Sequence, residues 1–473
     1  MTELTAHPWF YCGIGGSGML PLALILRGVG AQVTGSDRSR DQGRTPEKFA
    51  WLESLGFALH PQDGSGIVSP QQTLVASGAV ESTVPEMVRA GELGCPRMSR
   101  AELLATLFNS APARIAIAGT SGKSTVTGMA GWILDQAGRD PTIMNGAVMK
   151  NYVSSDAPFA SARVGAIDTG ASVFVSEVDE SDGSIALYEP TVAVLSNVSL
   201  DHKSLDELRT LFGAFVQRAA VAVINCDDAE AAALIPQTKS LISFGIDSQA
   251  AMIGVAPDSI VEAPTSLSAT ILDRRDGTSA LLELRVPGRH NLANALAAIA
   301  ACSAAGVSFS EADQSLGSFS GLARRFDIVG TSPAGVTVID DFGHNPEKVA
   351  ATLKTLKAHP GRIIAFFQPH GYGPLRQMGA ELAQTFARLL GPADLTMLCD
   401  PVYFGGTVDK TEGSERIAGL IRAAGGQAEH IPARQDCAAR IVQLSRPGDR
   451  VVIMGARDDT LALFARDLLS ALA

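Results

Sequence analysis

Short apolar, β-branched runs recur along this chain, separated by longer stretches in which apolar positions return every three or four residues. The runs Trp9–Cys12, Ala31–Thr34, Thr73–Ala76, Arg114–Ala118, Val173–Ser176, Val192–Leu195 and Val221–Ile224 predict strands. So do Val336–Ile339, Ile363–Phe367, Leu395–Cys399 and Arg450–Met454. The helical period fills segments such as Thr125–Ala137 and Glu347–Ala358. Alternation of this kind predicts parallel, doubly wound α/β sheets. Residues 250–287 differ: they alternate strictly around the turn signal DRRDG and predict a local antiparallel insert. The pattern breaks twice, near Asn109 in FNSAPAR and near Gly321 in GSFSGLA. Three domains are therefore expected, at residues 1–109, 110–321 and 322–473.

Composition narrows the function classes. At 473 residues the chain is too long for one typical core. The net charge is -11 and no basic run occurs, which argues against a nucleic-acid partner. Any anionic ligand then needs local help from backbone N–H groups, single cations or a metal. The six cysteines are scattered without a C-x-x-C pair, so zinc ribbons and redox motifs are not expected, and free thiols in a reducing compartment are. The start, MTELTAHPWF, has no secretory signature, and no apolar run approaches the roughly 20 residues of a membrane span. A soluble cytoplasmic protein with no membrane partner is the expectation.

Two glycine-rich turns carry the chemistry. In the first, Gly13, Gly15 and Gly18 form G-x-G-x-x-G between a strand and a helix, with Asp37 near the end of the next strand. That context suits a diphosphate at a helix N-terminus and a ribose or base near Asp37. In the second, strand Arg114–Ala118 feeds Gly119-Thr120-Ser121-Gly122-Lys123-Ser124-Thr125 and then a helix. Backbone N–H groups of such a loop surround phosphate oxygens, the lysine neutralises β/γ charge, and the serine suits Mg²⁺. The spacing departs from G-x-x-x-x-G-K-[ST], since Ile117 stands where the first glycine belongs. A glycine turn with a surface lysine is the plainer alternative.

Acids follow. Glu177, Asp179, Glu180 and Asp182 crowd the C-terminal end of the strand Val173–Ser176, where ligands of open α/β sheets bind. Packed carboxylates repel unless a cation compensates, and Mg²⁺ would; a solvated acidic loop is the alternative. Asp201-His202 follows another strand, and His202 reads equally as a core histidine or a metal ligand. His290, Asn291 and Asn294 open an apolar helix, as adenine readers or as caps. Arg324-Arg325 precedes Phe326, and Asp340-Asp341 ends a strand ahead of His344. Two phosphate cradles, one with a lysine and one without, imply ATP·Mg²⁺ spent beside a diphosphate that is held uncleaved.

The ordered set GIGGSGM…TGSD, GTSGKST, SEVDESD, DH, HNLANALAA, RRFD and DDFGHNP resembles the Mur ligase family over nearly the whole chain. The resemblance implies an α/β fold of three domains: a Rossmann-like N-terminal domain for the UDP-sugar, a central P-loop ATPase-type parallel-sheet domain for ATP, and a Rossmann-like C-terminal domain for the amino acid. It implies an ATP- and Mg²⁺-dependent ligase of peptidoglycan precursor synthesis, working through an acyl phosphate on UDP-N-acetylmuramate, with L-alanine as the expected acceptor. Small-molecule substrates and a monomer or weak homodimer go with it.

By the same resemblance Lys123 holds phosphates with Gly119, Thr120, Ser121, Gly122 and Thr125. Ser124, Glu177 and His202 bind metal, and His290, Asn291 and Asn294 lie at adenine. Arg325 and Asp341 act on ATP, and His344 lies near the amine. Gly13, Gly15, Gly16, Ser17, Gly18, Asp37 and Ser77 face the UDP-sugar. Three departures stand out. After FQPH the chain reads Gly371-Tyr372-Gly373-Pro374, where the family's carboxylate-gripping arginines are expected, leaving Arg376 or Arg457 for that role. Phe342 replaces a tyrosine and Asn345 a histidine. A recycling ligase taking a peptide, and a non-catalytic nucleotide-binding protein, are the alternative readings.

Overall fold

The structure, a computed structural model, describes residues 2–78, 80–165, 172–199, 203–402, 412–456 and 458–472. They pack into two compact units. One comprises residues 1–261, 267–285 and 290–321, and the other residues 262–266, 286–289 and 322–473.

The first unit holds two sheets. In the N-terminal sheet five parallel strands lie in the order Ala58–His60, Val33–Ser36, Trp9–Cys12, Thr73–Ala76, Arg97–Ser99. The central strand, Trp9–Cys12, is buried along its whole length, whereas the edge strands are three residues each and partly exposed. That contrast explains why only the inner strands stood out as apolar runs. Gly35 lets the two innermost strands approach, because a Cβ there would lie 2.7 Å from the Tyr11 carbonyl oxygen. The expected strand Ala31–Thr34 instead runs over Val33–Ser36, paired from Trp9↔Val33 to Cys12↔Ser36. This registers Ser36 beside the start of the glycine turn.

The second sheet is built around Ala113–Ala118, flanked by Val173–Glu177 on one side and Val192–Leu195 on the other, both parallel. It continues in parallel through Val221–Asn225, Leu241–Phe244 and Ile253–Val255, and on the other side through Thr142–Met144. The expected antiparallel insert is present. Ser266–Asp273 pairs antiparallel with Thr278–Leu284, and its alternate residues are buried. Gly277, at φ +82°, makes the turn, and Asp273 grips Arg275 across it.

In the second unit, Thr337–Asp341, Arg450–Gly455, Ile363–Gln368, Leu395–Leu398 and Ala428–His430 form a parallel sheet, with Asp327–Thr331 antiparallel at one edge. Apolar layers cover both of its faces. In all three sheets the residues singled out for chemistry sit at C-terminal strand ends, where loops leave the packed layers. Among the described residues, no helix is long and apolar enough to cross a membrane. All six cysteines are unpaired, and five of them are buried.

Gly35→Ala should push the two central N-terminal strands apart. We expect a loss of about 1–3 kcal/mol, the usual scale of overpacking, read as a lower denaturant midpoint by circular dichroism.

Candidate active site

Strand Ala113–Ala118 runs out into residues 119–122, and helix Lys123–Gln136 follows at once. Gly119 and Gly122 adopt φ +135° and +82°, conformations that strain any residue bearing a Cβ. Space forbids one too: a Cβ on Gly119 would lie 3.2 Å from the Asn197 backbone, and one on Gly122 would lie 2.6 Å from Asn294 Oδ1. Asn197 braces the loop. Its Oδ1 accepts from Ser121 N–H at 2.9 Å and Thr120 Oγ1 at 2.8 Å, and its Nδ2 donates to Ser121 O at 3.1 Å. The helix begins at Lys123, two residues before its expected start, because the left-handed Gly122 serves as its N-cap.

The lysine, hydroxyl and acids anticipated from sequence meet here. Lys123 Nζ donates to Gly119 O at 2.6 Å and to Glu180 Oε2 at 2.8 Å. Ser124 Oγ donates to Glu177 Oε2 at 2.7 Å. Asn145 donates to Ser124 O at 2.9 Å and accepts from Ala147 N–H at 3.0 Å. That fixes a turn whose Gly146 packs so closely on Glu177 that a Cβ would collide with Oε1. Asp179 accepts from Ser181 N–H at 2.9 Å and Ser181 Oγ at 2.7 Å. Burial pushes the Asp179 pKa up, but those donors and the charges of Lys123 and Arg100 outweigh it and hold the carboxyl below its ordinary value. Asp182 accepts from Ser184 N–H at 2.9 Å and faces Arg100 Nη2 at 3.7 Å.

Ser124 and Glu177 offer two hard oxygens side by side, next to a loop shaped for phosphates. Mg²⁺ takes one or two protein oxygens and completes its shell with phosphate and water, so this pair fits it. Among the described residues no cluster of three or more His, Cys, Asp or Glu side chains is arranged to hold a metal. His202 lies outside the described residues, as does Arg457. His290, Asn291 and Asn294 share the start of helix Arg289–Ala304. Asn291 and Asn294 are buried, with Asn294 Nδ2 donating to Asn291 Oδ1 at 3.3 Å. The Asn294 amide thus backs the phosphate loop at Gly122, while His290 is exposed.

The N-terminal glycine turn departs from its expected wiring. Gly13, at φ +80°, starts it, and Gly16 and Ser17 form its exposed tip. Asp37 was expected to meet a ribose or base. Instead its Oδ2 accepts from Gly15 N–H at 2.8 Å and its Oδ1 from Ser39 N–H at 2.8 Å, locking the turn and capping helix Arg38–Asp41. Two cations that sequence reasoning missed flank the turn. Lys48, only 7% exposed, donates to Gly15 O at 3.2 Å. Arg100 lies against Gly18, where a Cβ would sit 3.1 Å from its Cδ and 3.4 Å from Nη1. Ser77 follows strand Thr73–Ala76, beside Trp9–Cys12, and so reaches the same sheet edge.

In the second unit, Arg324 and Phe326 both hold left-handed backbone, at φ +60° and +46°, with Arg325 between them. Asp341 locks this kink. Its Oδ1 accepts from Phe326 N–H at 2.8 Å, and its Oδ2 accepts from Gly343 N–H at 2.9 Å and Thr352 Oγ1 at 2.8 Å. Both oxygens of Asp341 thus brace the kink that carries Arg325. The Arg324 guanidinium is buried on Gly455 O at 2.7 Å and Asp458 O at 3.1 Å, 3.4 Å from Asp340. Burial raises the Asp340 pKa to about 6, more than Arg324 lowers it. Arg325 stacks on Phe342, 4.4 Å from the ring centre.

His344 packs edge-on to His370, with ring centres 5.2 Å apart, and both line a recess with Phe367, Pro369 and Leu375. Its Nδ1 lies 2.8 Å from Phe342 O. Burial, with the charge of Lys348 and the neighbouring groups behind it, drives the His344 pKa down to about 3. A carbonyl oxygen only accepts, so the neutral ring carries its proton on Nδ1 and leaves the Nε2 lone pair open.

Comparison with known proteins gives the same domain sequence as the motifs. Residues 11–111 match the Mur ligase family catalytic-domain model, residues 117–302 the Mur ligase middle domain, and residues 324–457 the Mur ligase glutamate ligase domain. The UDP-N-acetylmuramate–L-alanine ligase of Clavibacter michiganensis is 35% identical over 460 residues, covering 95% of this chain and 90% of that protein. That of Cereibacter sphaeroides is 35% identical over 480 residues, covering 98% and 96%. Among solved structures, the UDP-N-acetylmuramate–alanine ligase of Thermotoga maritima superposes with a TM-score of 0.79 at 23% identity, covering 98% of both chains. A murein peptide ligase from Psychrobacter arcticus gives 0.72 at 23%, covering 99% of both. The fold is the three-domain α/β arrangement these structures share.

The depressed His344 pKa makes stability depend on acidity. The unfolded chain takes up this proton as pH falls below the ordinary histidine value of 6.5, and the folded chain does so only near 3. The contribution is therefore complete above about pH 6.5 and lost as pH falls from there toward 3. The denaturant midpoint of the wild type should fall more between pH 7.5 and 5 than that of His344→Gln.

Proposed function

The chain belongs to the Mur ligase family and is an ATP-dependent ligase, and from that premise we propose that it joins L-alanine to the lactyl carboxylate of UDP-N-acetylmuramate, for peptidoglycan precursor synthesis. One observation carries the reading onto this chain's residues: Lys123, Ser124 and Glu177 meet at the end of two adjacent parallel strands, with Ser124 Oγ 2.7 Å from Glu177. A lysine to neutralise phosphate, two hard oxygens for Mg²⁺ and a glycine turn at a helix N-terminus suit phosphoryl transfer.

In the proposed reaction a carboxylate oxygen of the sugar attacks the γ-phosphorus of ATP, and the bond to the β-bridging oxygen breaks. The acyl phosphate so formed is attacked at carbon by the amine of the amino acid. The tetrahedral intermediate expels phosphate, and the nitrogen loses its proton. Lys123 holds the β- and γ-phosphates beside the N-terminus of helix Lys123–Gln136. Ser124 and Glu177 would hold Mg²⁺, which when bound would supply positive charge against the transferring group. The glycine turn at residues 13–18 holds the uncleaved diphosphate. Asn291 and Asn294 keep the loop in shape, and the exposed His290 meets adenine. Arg325, fixed at its crest by Asp341, acts on ATP, and His202 joins the metal set. With a pKa near 3, His344 is too weak a base to store the amine's proton. Its open Nε2 orients the amine instead. The three-domain bounds at residues 109 and 321 belong to the same proposal.

A second reading keeps the chemistry and changes the acceptor to a peptide, as in murein recycling. The arginine-free stretch Gly371-Tyr372-Gly373-Pro374 after FQPH favours it, since no cation in that stretch receives a free amino acid's carboxylate. The full-length relatives named above favour alanine.

Phosphate release should require UDP-N-acetylmuramate and the acceptor together, and a mass-spectrometric acceptor panel should show the sugar nucleotide extended by one alanine. Preference for a tripeptide would establish the second reading. Lys123→Ala should lower the rate by about 10³-fold or more, the scale of losing one charge-stabilising group in phosphoryl transfer. An undiminished rate would end the proposal.

A further inference from the structure

The turn at residues 13–18 contains no cation, yet the ligand proposed for it carries a diphosphate. The structure brings a cation to it from elsewhere in the same unit. Arg100 is the first residue of helix Arg100–Ser110, and its position is set by a full capping box. Ser99 Oγ accepts from Glu102 N–H at 3.1 Å, and Ser99 N–H donates to Glu102 Oε2 at 2.8 Å. From that fixed start the side chain lies along Gly18, with Nε and Nη1 both 3.4 Å from where a Cβ would stand. A Cβ at Gly18 would crowd the Arg100 side chain there. Its far end faces Asp182 Oδ2 at 3.7 Å, beyond hydrogen-bond length, so its donors are weakly engaged on that side. The side chain remains 22% exposed.

Asp182 belongs to the acidic segment that also carries Glu180, the carboxylate paired with Lys123 at 2.8 Å. One short segment therefore holds a cation from each phosphate cradle. Asp179, between the two, feels both charges. A diphosphate on the N-terminal turn and Asp182 compete for the same planar fork, and a nucleotide phosphate and Glu180 compete for Lys123. Drawing either cation onto a phosphate leaves its carboxylate uncompensated, which tightens the segment's hold on the other.

Resting on the ligase reading, we propose that Arg100 binds the diphosphate of the sugar nucleotide and, through Asp182 and the segment of residues 179–182, couples its binding to that of ATP. A guanidinium suits a diphosphate because it donates two parallel hydrogen bonds where an ammonium offers a point charge. The coupling is reciprocal by linkage: each ligand should weaken the other by about fivefold, at the lower end of the usual range.

Calorimetric titration of the full-length protein with UDP-N-acetylmuramate, and with a non-hydrolysable ATP analogue plus Mg²⁺, each alone and in the presence of the other, tests this. Arg100→Ala should weaken sugar-nucleotide binding by about tenfold, the loss of one charged hydrogen-bonding partner. It should also weaken binding of the ATP analogue alone, because Asp182 is then uncompensated from the start, and abolish the mutual weakening. Arg100→Lys should recover part of the affinity. Asp182→Asn should tighten sugar-nucleotide binding by about threefold by removing the competing charge; a merely structural salt bridge would give weaker binding instead. Wild-type affinity in Arg100→Ala, or weakened binding in Asp182→Asn, would overturn the role of Arg100 while leaving the ligase reading intact. A wild-type protein that binds ATP analogue but no UDP-N-acetylmuramate would overturn both. Should Arg100→Ala fail to fold, Arg100→Lys and Asp182→Asn decide the matter on their own.

Discussion

Four carboxylates within six residues cannot sit together at the end of a buried strand without compensation, and that repulsion organises the first unit. Each acid from Glu177 to Asp182 is answered by a different residue. Ser124 and Gly146 meet Glu177, Ser181 meets Asp179, Lys123 meets Glu180, and Arg100 faces Asp182. The phosphate loop, the turn after Thr142–Met144 and the helix opening at Arg100 are drawn to one place by this demand. A solvated acidic loop would need none of these partners.

The second unit meets a comparable constraint with backbone rather than charge. Arg324 and Phe326 occupy conformations that cost of order 1–3 kcal/mol each for residues with a Cβ. Asp341 offsets that cost by accepting from Phe326 N–H and Gly343 N–H at once. The same carboxylate therefore sets the crest that carries Arg325 and the loop that carries Phe342 and His344. Its place within the motif DDFGHNP follows from this geometry, whatever ligand the unit receives.

Much of this was legible in the sequence. Long inner strands with apolar runs, glycines at forced turns and a lysine–serine pair at a helix start are all local signals, and Lys123, Ser124 and Glu177 do come together. Three-residue edge strands such as Ala58–His60 and Arg97–Ser99 left no periodic trace. Helix start Lys123 was missed by two residues because a left-handed glycine replaced a polar cap. Asp37 and Asp341 were read as ligand contacts, since a carboxylate at a strand end looks the same whether it faces outward or grips backbone N–H groups. Lys48 and Arg100 reach the glycine turn from helices distant in sequence, and only tertiary packing places them there. The capping box at Ser99 and Glu102 marked where Arg100's helix begins, but nothing local marked what it would touch.

The chain's three tryptophans, Trp9, Trp51 and Trp132, all lie in the first unit. Trp9 is sunk in the N-terminal sheet, with its Nε1 donating to Leu4 O at 2.8 Å. Trp51 leans on Phe159, with its Nε1 on Asp156 O at 2.8 Å. Trp132 donates to Ser315 O at 3.0 Å. Indole emission is consequently a reporter confined to one half of the molecule. Fluorescence therefore follows the first unit from within, and far-ultraviolet ellipticity set beside it reads both units without any added label.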